Sequence, residues 1–332
     1  MILITYGTRP EWIKIKPLIN ELDNSDIPFK VLFTGQHADL VPKSSDYNLT
    51  MINHPGNRLD SVVKNCLSIP DEYFNGITHV LVQGDTSSVM GIALTAVHRK
   101  IKVIHLEAGL RTYDYENPFP EEYNRRIVST LSAIHLCPTE LSKQNLINEK
   151  TQGDIHVVGN TVLDNLLEYK KECEYTNIVL ITMHRRENHE LMEDWFKNIS
   201  ELAIENPDLD FILPLHPNPN VQKHKSILTN INVIDPLTHE QLIKTLIKTR
   251  LVITDSGGIQ EECSFFNKKA IVCRKITERP ESVGTTSTMV GYPHDLKDAF
   301  YNIVNDYEID AICPYGDGRS SNRIIKIFKT II

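Results

Sequence analysis

Two successive series of short, β-branched apolar runs, each followed by a turn-rich polar stretch and then helix-length sequence, constrain this chain more than any other feature. The first series reads Ile2-Leu3-Ile4, Phe29 to Phe33, His79 to Val82 and Val103 to Leu106. The pattern restarts after residue 165 with Ile178 to Ile181, Phe211 to Leu213, Val233-Ile234, Leu251 to Ile253 and Ile271 to Cys273. Runs that stay apolar suit parallel strands buried on both faces. Two such series predict an α/β protein of two doubly wound domains. The length agrees, since 332 residues exceed what one hydrophobic core usually organises. We place the first domain at 1–168 and the second at 169–317, with polar, aperiodic Tyr169 to Asn177 as the linker. The C-terminal stretch 318–332 is expected to form a helix that packs back onto the first domain.

Several function classes drop out. No run of about 18 apolar residues occurs, so no segment is expected to span a bilayer and no membrane partner is implied. The start, Met1 to Gly7, lacks the basic region and cleavage site of a signal peptide. The six cysteines are scattered without a CxxC pair, as reduced thiols of a cytoplasmic protein would be. A formal net charge of -8 argues against a nucleic-acid partner. It leaves room for an anionic small ligand, which a local arginine cluster can hold on an acidic protein.

The concentrated polar clusters fall just after the strand-like runs, where open parallel sheets bind ligands. Such clusters predict that the two domains face each other across a cleft lined from both sides. Asp255-Ser256-Gly257-Gly258 opens a helix, and its glycines and free N–H groups suit a phosphate. Glu262, one turn later, is placed to accept hydrogen bonds from ribose hydroxyls. A plain strand–helix turn with a serine N-cap has the same spacing, which does not separate the two readings. Neither GxGxxG nor a P-loop is present, so no dinucleotide or ATP is implied.

Arg9, at the tip of the first strand, and Lys14, one turn on, form a basic pair that could neutralise a diphosphate. Taken alone, a solvated basic face is the simpler reading. Asp85 and Glu107 sit just past apolar strands, and Glu121 and Glu122 begin a helix after Pro118-Phe119-Pro120. Acids converging on one cleft push each other's pKa values apart, which divides acid from base roles. We read Asp85, Glu107 and Glu121 as functional and Glu122 as an acid complementing the helix dipole. His184 and His216 end strands of the second domain and suit proton transfer near neutral pH. With no HExxH motif and no helical pairing, His105, His184 and His216 do not read as a metal site.

Taken together these stretches resemble the non-hydrolysing UDP-N-acetylglucosamine 2-epimerases. The matches run through Gly7-Thr8-Arg9-Pro10-Glu11, Thr34-Gly35-Gln36-His37, Gly84-Asp85-Thr86, Glu107 to Thr112, and Pro118 to Glu122 with Asn124-Arg125. They continue through Gly159 to Val162, His184 to Asn188, His216 with Asn218 to Val221, Asp255 to Glu262, Thr277 to Glu281 and Pro314 to Gly318. The resemblance covers nearly the whole chain in the family's order.

It implies the GT-B arrangement of two Rossmann-like domains, a homodimer, a UDP-sugar substrate and no cofactor. It also implies that UDP is eliminated across C1–C2 to a 2-acetamidoglucal and then added back. Carried over residue by residue, Asp85, Glu107, Glu121 and His184 form the acid/base set. Arg9, Lys14 and Arg111 attend the phosphates and sugar, joined by His216 and Arg279. Ser256, Gly257, Gly258 and Glu262 hold the diphosphate and ribose.

One departure concerns regulation. After His37 the chain has Ala38 and Asp39 where activated bacterial members carry basic and amide residues, which predicts loss of activation by a second UDP-sugar. The readings ranked behind this one are a 2-epimerase of a 6-deoxy UDP-N-acetyl-L-hexosamine, a hydrolysing epimerase, a GT-B glycosyltransferase and a non-catalytic UDP-sugar sensor.

Overall fold

The computed structural model describes residues 1–37 and 45–331. Ala38 and Asp39, on which the regulatory expectation rests, lie outside the described residues. The chain divides into two compact units, Met1–Asn165 with Gly316–Ile332, and Leu166–Tyr315. The division thus falls at Asn165, inside the helical segment Thr161–Glu172, rather than in the polar stretch after Tyr169.

In the first unit the strands are β1 (Ile2–Tyr6), β2 (Phe29–Phe33), β3 (Tyr47–Asn48), β4 (His79–Gln83), β5 (Lys102–Leu106), β6 (Ile134–Cys137) and β7 (Asp154–Val157). They form one parallel sheet in the order β3-β2-β1-β4-β5-β6-β7, with Ile4 opposite Val31 on one side and Leu81 on the other. Side chains alternate along β1. Ile2, Ile4 and Tyr6 join a core with Leu18, Ile324 and Phe328, while Leu3 joins Val62, Val89 and Ile92 on the opposite face. Both faces are therefore covered by helices, which is why the run is apolar throughout. The C-terminal helix Ser320–Ile331 packs against helix Arg9–Asp23, and its first N–H groups are capped by the half-buried Asp164 carboxylate at 2.9 and 2.6 Å.

The second unit repeats the plan with β8 (Ile178–Thr182), β9 (Asp210–Pro214), β10 (Asn232–Ile234), β11 (Thr249–Thr254), β12 (Lys269–Val272) and β13 (Ser287–Met289). Their order is β10-β9-β8-β11-β12-β13, again parallel. Trp195, Phe196, Phe211 and Phe300 dominate its core. Every apolar run named above falls on a strand, Cys273 alone lying just past one. In each sheet the strand order reverses once, between β1 and β4 and between β8 and β11. Loops diverge at such a point and leave a crevice at the carboxyl ends of the strands.

Candidate active site

The first switch point is framed by the loops after β1 and β4. Thr8 caps helix Arg9–Asp23 through a capping box, and Glu11 reaches back to the Gly7 and Thr8 N–H groups at 2.6 and 3.2 Å. The other oxygen of Glu11 accepts the Thr86 hydroxyl at 2.7 Å, so one buried carboxylate ties the two loops together. Burial pushes its pKa up to about 7, against the opposing pull of those donors. The sequence reading passed over Glu11, although the Thr-x-x-Glu spacing of Thr8 and Glu11 signals such a box.

Glu107 follows β5 with φ at +68°, a left-handed conformation that is uncommon for a residue with a Cβ. That backbone aims its carboxylate at a ring of donors. Lys14 Nζ lies 2.5 and 2.7 Å from the two oxygens, Gln83 Nε2 donates at 2.5 Å and Asn160 Nδ2 at 3.2 Å. Lys14, expected on the phosphates, is thus engaged with Glu107 and is only 16% exposed along its side chain. Beneath the loop, buried His105 bonds the Gly84 carbonyl through Nε2 at 2.8 Å. Burial drops its pKa to about 3, so the ring stays neutral and structural.

Asp85 lies two residues past β4 and is held by Arg125, with Asn124 donating to its backbone carbonyl at 2.8 Å. Arg125 also bonds Glu122 at 3.1 Å. Glu122 is fully buried in the first turn of helix Glu121–Leu131 and accepts from Thr112 N at 3.0 Å, so beside its place at the helix dipole it anchors the preceding loop. Glu121, the first residue of helix Glu121–Leu131, is half-buried. Arg111 was expected to meet the ligand. Its buried guanidinium instead forks onto Glu149 at 2.9 and 2.7 Å and spends its third nitrogen on the Leu110 carbonyl at 2.8 Å. Arg9 is exposed and adjoins a groove of about 620 Å³ shared by Gln36, His37, Met51 and Arg58.

The second unit mirrors this construction. Asp255, fully buried after β11, accepts the N–H groups of His184 and Arg185 after β8, each at 2.9 Å. One carboxylate again spans the switch point. His184 Nδ1 lies 3.7 Å from Asp255, and its ring stacks on His216 with centroids 5.0 Å apart. Burial, then the neighbouring His184, lowers the His216 pKa, and its Nδ1 accepts the Asn218 N–H at 3.1 Å.

Ser256 caps helix Gly257–Phe265, whose first turn is the anion-suited segment. A Cβ on Gly257 would come within 2.6 Å of Arg279 Nη1, whereas Gly258 has only Ser256 Oγ at 3.8 Å. Arg279 is buried between Glu261 and Glu278, and Glu278 also binds Arg274 at 2.8 Å. Like Arg111, it is committed to an internal ion network. Glu262, nearly buried, bonds His239 Nε2 at 2.8 Å. Among the described residues no group of three or more His, Cys, Asp or Glu side chains could hold a metal ion, and no helix is long and apolar enough to cross a membrane.

Known proteins agree with this construction. The family model described as UDP-N-acetylglucosamine 2-epimerase matches residues 20–329. A UDP-N-acetylglucosamine 2-epimerase of Campylobacter jejuni is 38% identical, across 98% of this chain and 96% of its own. One from Neisseria meningitidis is 36% identical, across 98% of each chain. The crystal structure of a Neisseria meningitidis UDP-GlcNAc 2-epimerase bound to UDP-GlcNAc superposes with a TM-score of 0.90 at 34% identity, covering 99% of both chains. The Staphylococcus aureus MnaA–UDP structure superposes at 0.86 with 32% identity, covering 100% of this chain and 97% of its own. With the two-domain α/β fold, full-length identity and two carboxylate-tied switch points in hand, the chain belongs to the UDP-N-acetylglucosamine 2-epimerase family.

Proposed function

We propose that this enzyme interconverts UDP-N-acetylglucosamine and UDP-N-acetylmannosamine by inverting C2, with UDP returned to the sugar rather than lost to water. The observation that carries the reading is Glu107, a carboxylate fixed on left-handed backbone and ringed by Lys14, Gln83 and Asn160, with Asp85 two residues past the neighbouring strand. Relatives of near-equal length named for this activity support it.

Inversion takes a proton from one face of C2 and returns one to the other. That proton is weakly acidic, so a positioned base and a stabilised leaving group must share the work. The C2 proton passes to a carboxylate, the C1–O bond breaks with its electron pair leaving on UDP, and a C1=C2 double bond remains. Protonation of the opposite face and return of the UDP oxygen to C1 complete the exchange. No electrons are lost or gained, so no nicotinamide is needed. Asp85, Glu107, Glu121 and His184 are assigned the proton transfers. Ser256, Gly257 and Gly258 are assigned the diphosphate, Glu262 the ribose, and Arg9 and His216 the charge that develops on UDP. Lys14 orients Glu107 by binding both its oxygens, while Arg111 and Arg279 hold their loops in place.

A proton NMR time course of the purified protein with UDP-N-acetylglucosamine in deuterated water tests this reading. Deuterium should enter at C2 of both UDP-sugars, without added NAD or metal and unchanged by a chelator. Stoichiometric free N-acetylmannosamine would make the enzyme hydrolytic, and inversion without deuterium would remove the elimination.

A further inference from the structure

The Glu262 carboxylate is not symmetric in its surroundings. Its Oε1 meets His239 Nε2 at 2.8 Å, while its Oε2 is buried and has no hydrogen-bond partner. A buried carboxylate oxygen left unpaired is costly, and sites that keep one commonly have a donor yet to arrive. His239 comes from another element, the first residue of helix His239–Leu246, which Thr238 caps through a box with Gln241. The capped helix fixes where the imidazole stands. The other charged residues of that helix, Glu240 and Lys244, pair with each other at 2.6 Å on its exposed side. Burial works against a charged His239, but the hydrogen bond and negative charge of Glu262 outweigh it and raise the His239 pKa.

We propose that His239 is a positioning residue for nucleotide binding: it holds Glu262 by one oxygen so that the other is aimed at a donor from the vicinal diol of a nucleoside diphosphate. The proposal rests on the assignment of Glu262 to the ribose. His239 itself need not touch the nucleotide. Without it, the Glu262 carboxylate loses its one hydrogen-bond partner among the described residues and the orientation that partner imposes. A carboxylate free to rotate binds a fixed diol less well, because part of the binding free energy then goes into ordering it.

Calorimetric titration of the full-length protein with UDP and with 2′-deoxy-UDP tests this. Glu262→Ala should weaken UDP by about 10- to 100-fold, the range for a hydrogen bond to a charged group. His239→Ala should weaken it by about 10-fold and shrink the preference for UDP over 2′-deoxy-UDP, with kcat at saturating substrate little changed. His239→Gln, which keeps a donor, should recover most of the affinity, a rescue that a packing role would not give. In a Glu262→Ala background, His239→Ala should add no further loss. Unchanged UDP affinity in Glu262→Ala would overturn the ribose assignment itself. A normal Glu262→Ala defect combined with an unaffected His239→Ala, or with an additive double variant, would overturn only the role given to His239.

Discussion

Arg125 grips Asp85 through a single oxygen: Nε at 2.9 Å and Nη2 at 2.8 Å both converge on Oδ2, and among the described residues no hydrogen bond is seen to Oδ1. A carboxylate fixed at one oxygen presents the other in a defined direction, as proton transfer requires. Lysine at this position keeps the charge but not the planar fork. Arg125→Lys is therefore expected to lower kcat about 10- to 100-fold, the equivalent of about 1.5–3 kcal/mol for a lost charge-assisted geometry. UDP affinity should stay put. Solvent-deuterium exchange at C2 and UDP calorimetry report the two separately, and a matching loss of UDP affinity would contradict the assignment.

The two adjacent glycines of the second unit separate packing from ligand approach. A methyl on Gly257 meets Arg279 Nη1 at 2.6 Å and Glu278 Oε1 at 2.8 Å, both locked in a buried ion network. Gly257→Ala should cost about 1–3 kcal/mol of stability through overpacking. A methyl on Gly258 meets nothing closer than Ser256 Oγ at 3.8 Å. Gly258→Ala should leave the melting temperature unchanged yet weaken UDP, because the diphosphate is proposed to lie against that backbone. Equal UDP affinity in Gly258→Ala and the parent would move the phosphates elsewhere.

Arg111 and Glu149 form a buried pair in which the guanidinium side chain has no exposure and the carboxylate keeps 19%. Removing the arginine leaves Glu149 only Arg126, 3.5 Å away, as a compensating charge, at about 3 kcal/mol. Arg111→Met is accordingly expected to lower the melting temperature strongly while the folded fraction binds UDP normally. Replacing both partners by Met and Leu should recover much of the stability. Weakened UDP binding in that stable double variant would return Arg111 to the ligand.

The strands were legible because each central one is buried on both faces, which forces uninterrupted apolar runs such as Val80-Leu81-Val82. The strands that sequence reading passed over, Tyr47–Asn48, Ile134–Cys137, Asp154–Val157 and Ser287–Met289, are short and carry polar residues, three of them at sheet edges. Candidate site residues stood out where the backbone marks them, just past strand ends and beside glycine. What stayed hidden was pairing. Arg111 meets a carboxylate 38 positions away, and Glu262 meets a histidine 23 positions before it. No local spacing shows whether an arginine faces a phosphate or an internal glutamate. Nor does any local spacing show that Lys14 has Glu107 as an ion partner.

Glu11 and Asp255 occupy equivalent positions, each a buried carboxylate spanning its sheet's switch point, and burial pushes the Glu11 pKa up to about 7. In the unfolded chain the same carboxyl titrates near 4.5. Between those values the folded protein keeps a proton that the unfolded chain has released. The folded state therefore binds more protons there, and stability must fall as pH rises. This contribution is fully present below about pH 4.5 and is lost as pH climbs through about 7. At 1.36 kcal/mol per unit, the whole window amounts to about 3 kcal/mol. Glu11→Gln keeps the shape and removes the titration. Its amide can serve the Gly7 and Thr8 N–H groups with oxygen, at the expense of one mismatched contact to the Thr86 hydroxyl, worth about 1 kcal/mol. At pH 5 the variant should thus be no more stable than the parent. At pH 8 it should be the more stable of the two, the gap opening chiefly between pH 5 and 7. Denaturant melts of both proteins at matched ionic strength across that range measure the gap directly. Parallel stability profiles would mean that the donors from Gly7, Thr8 and Thr86 outweigh burial, and that Glu11 is charged throughout.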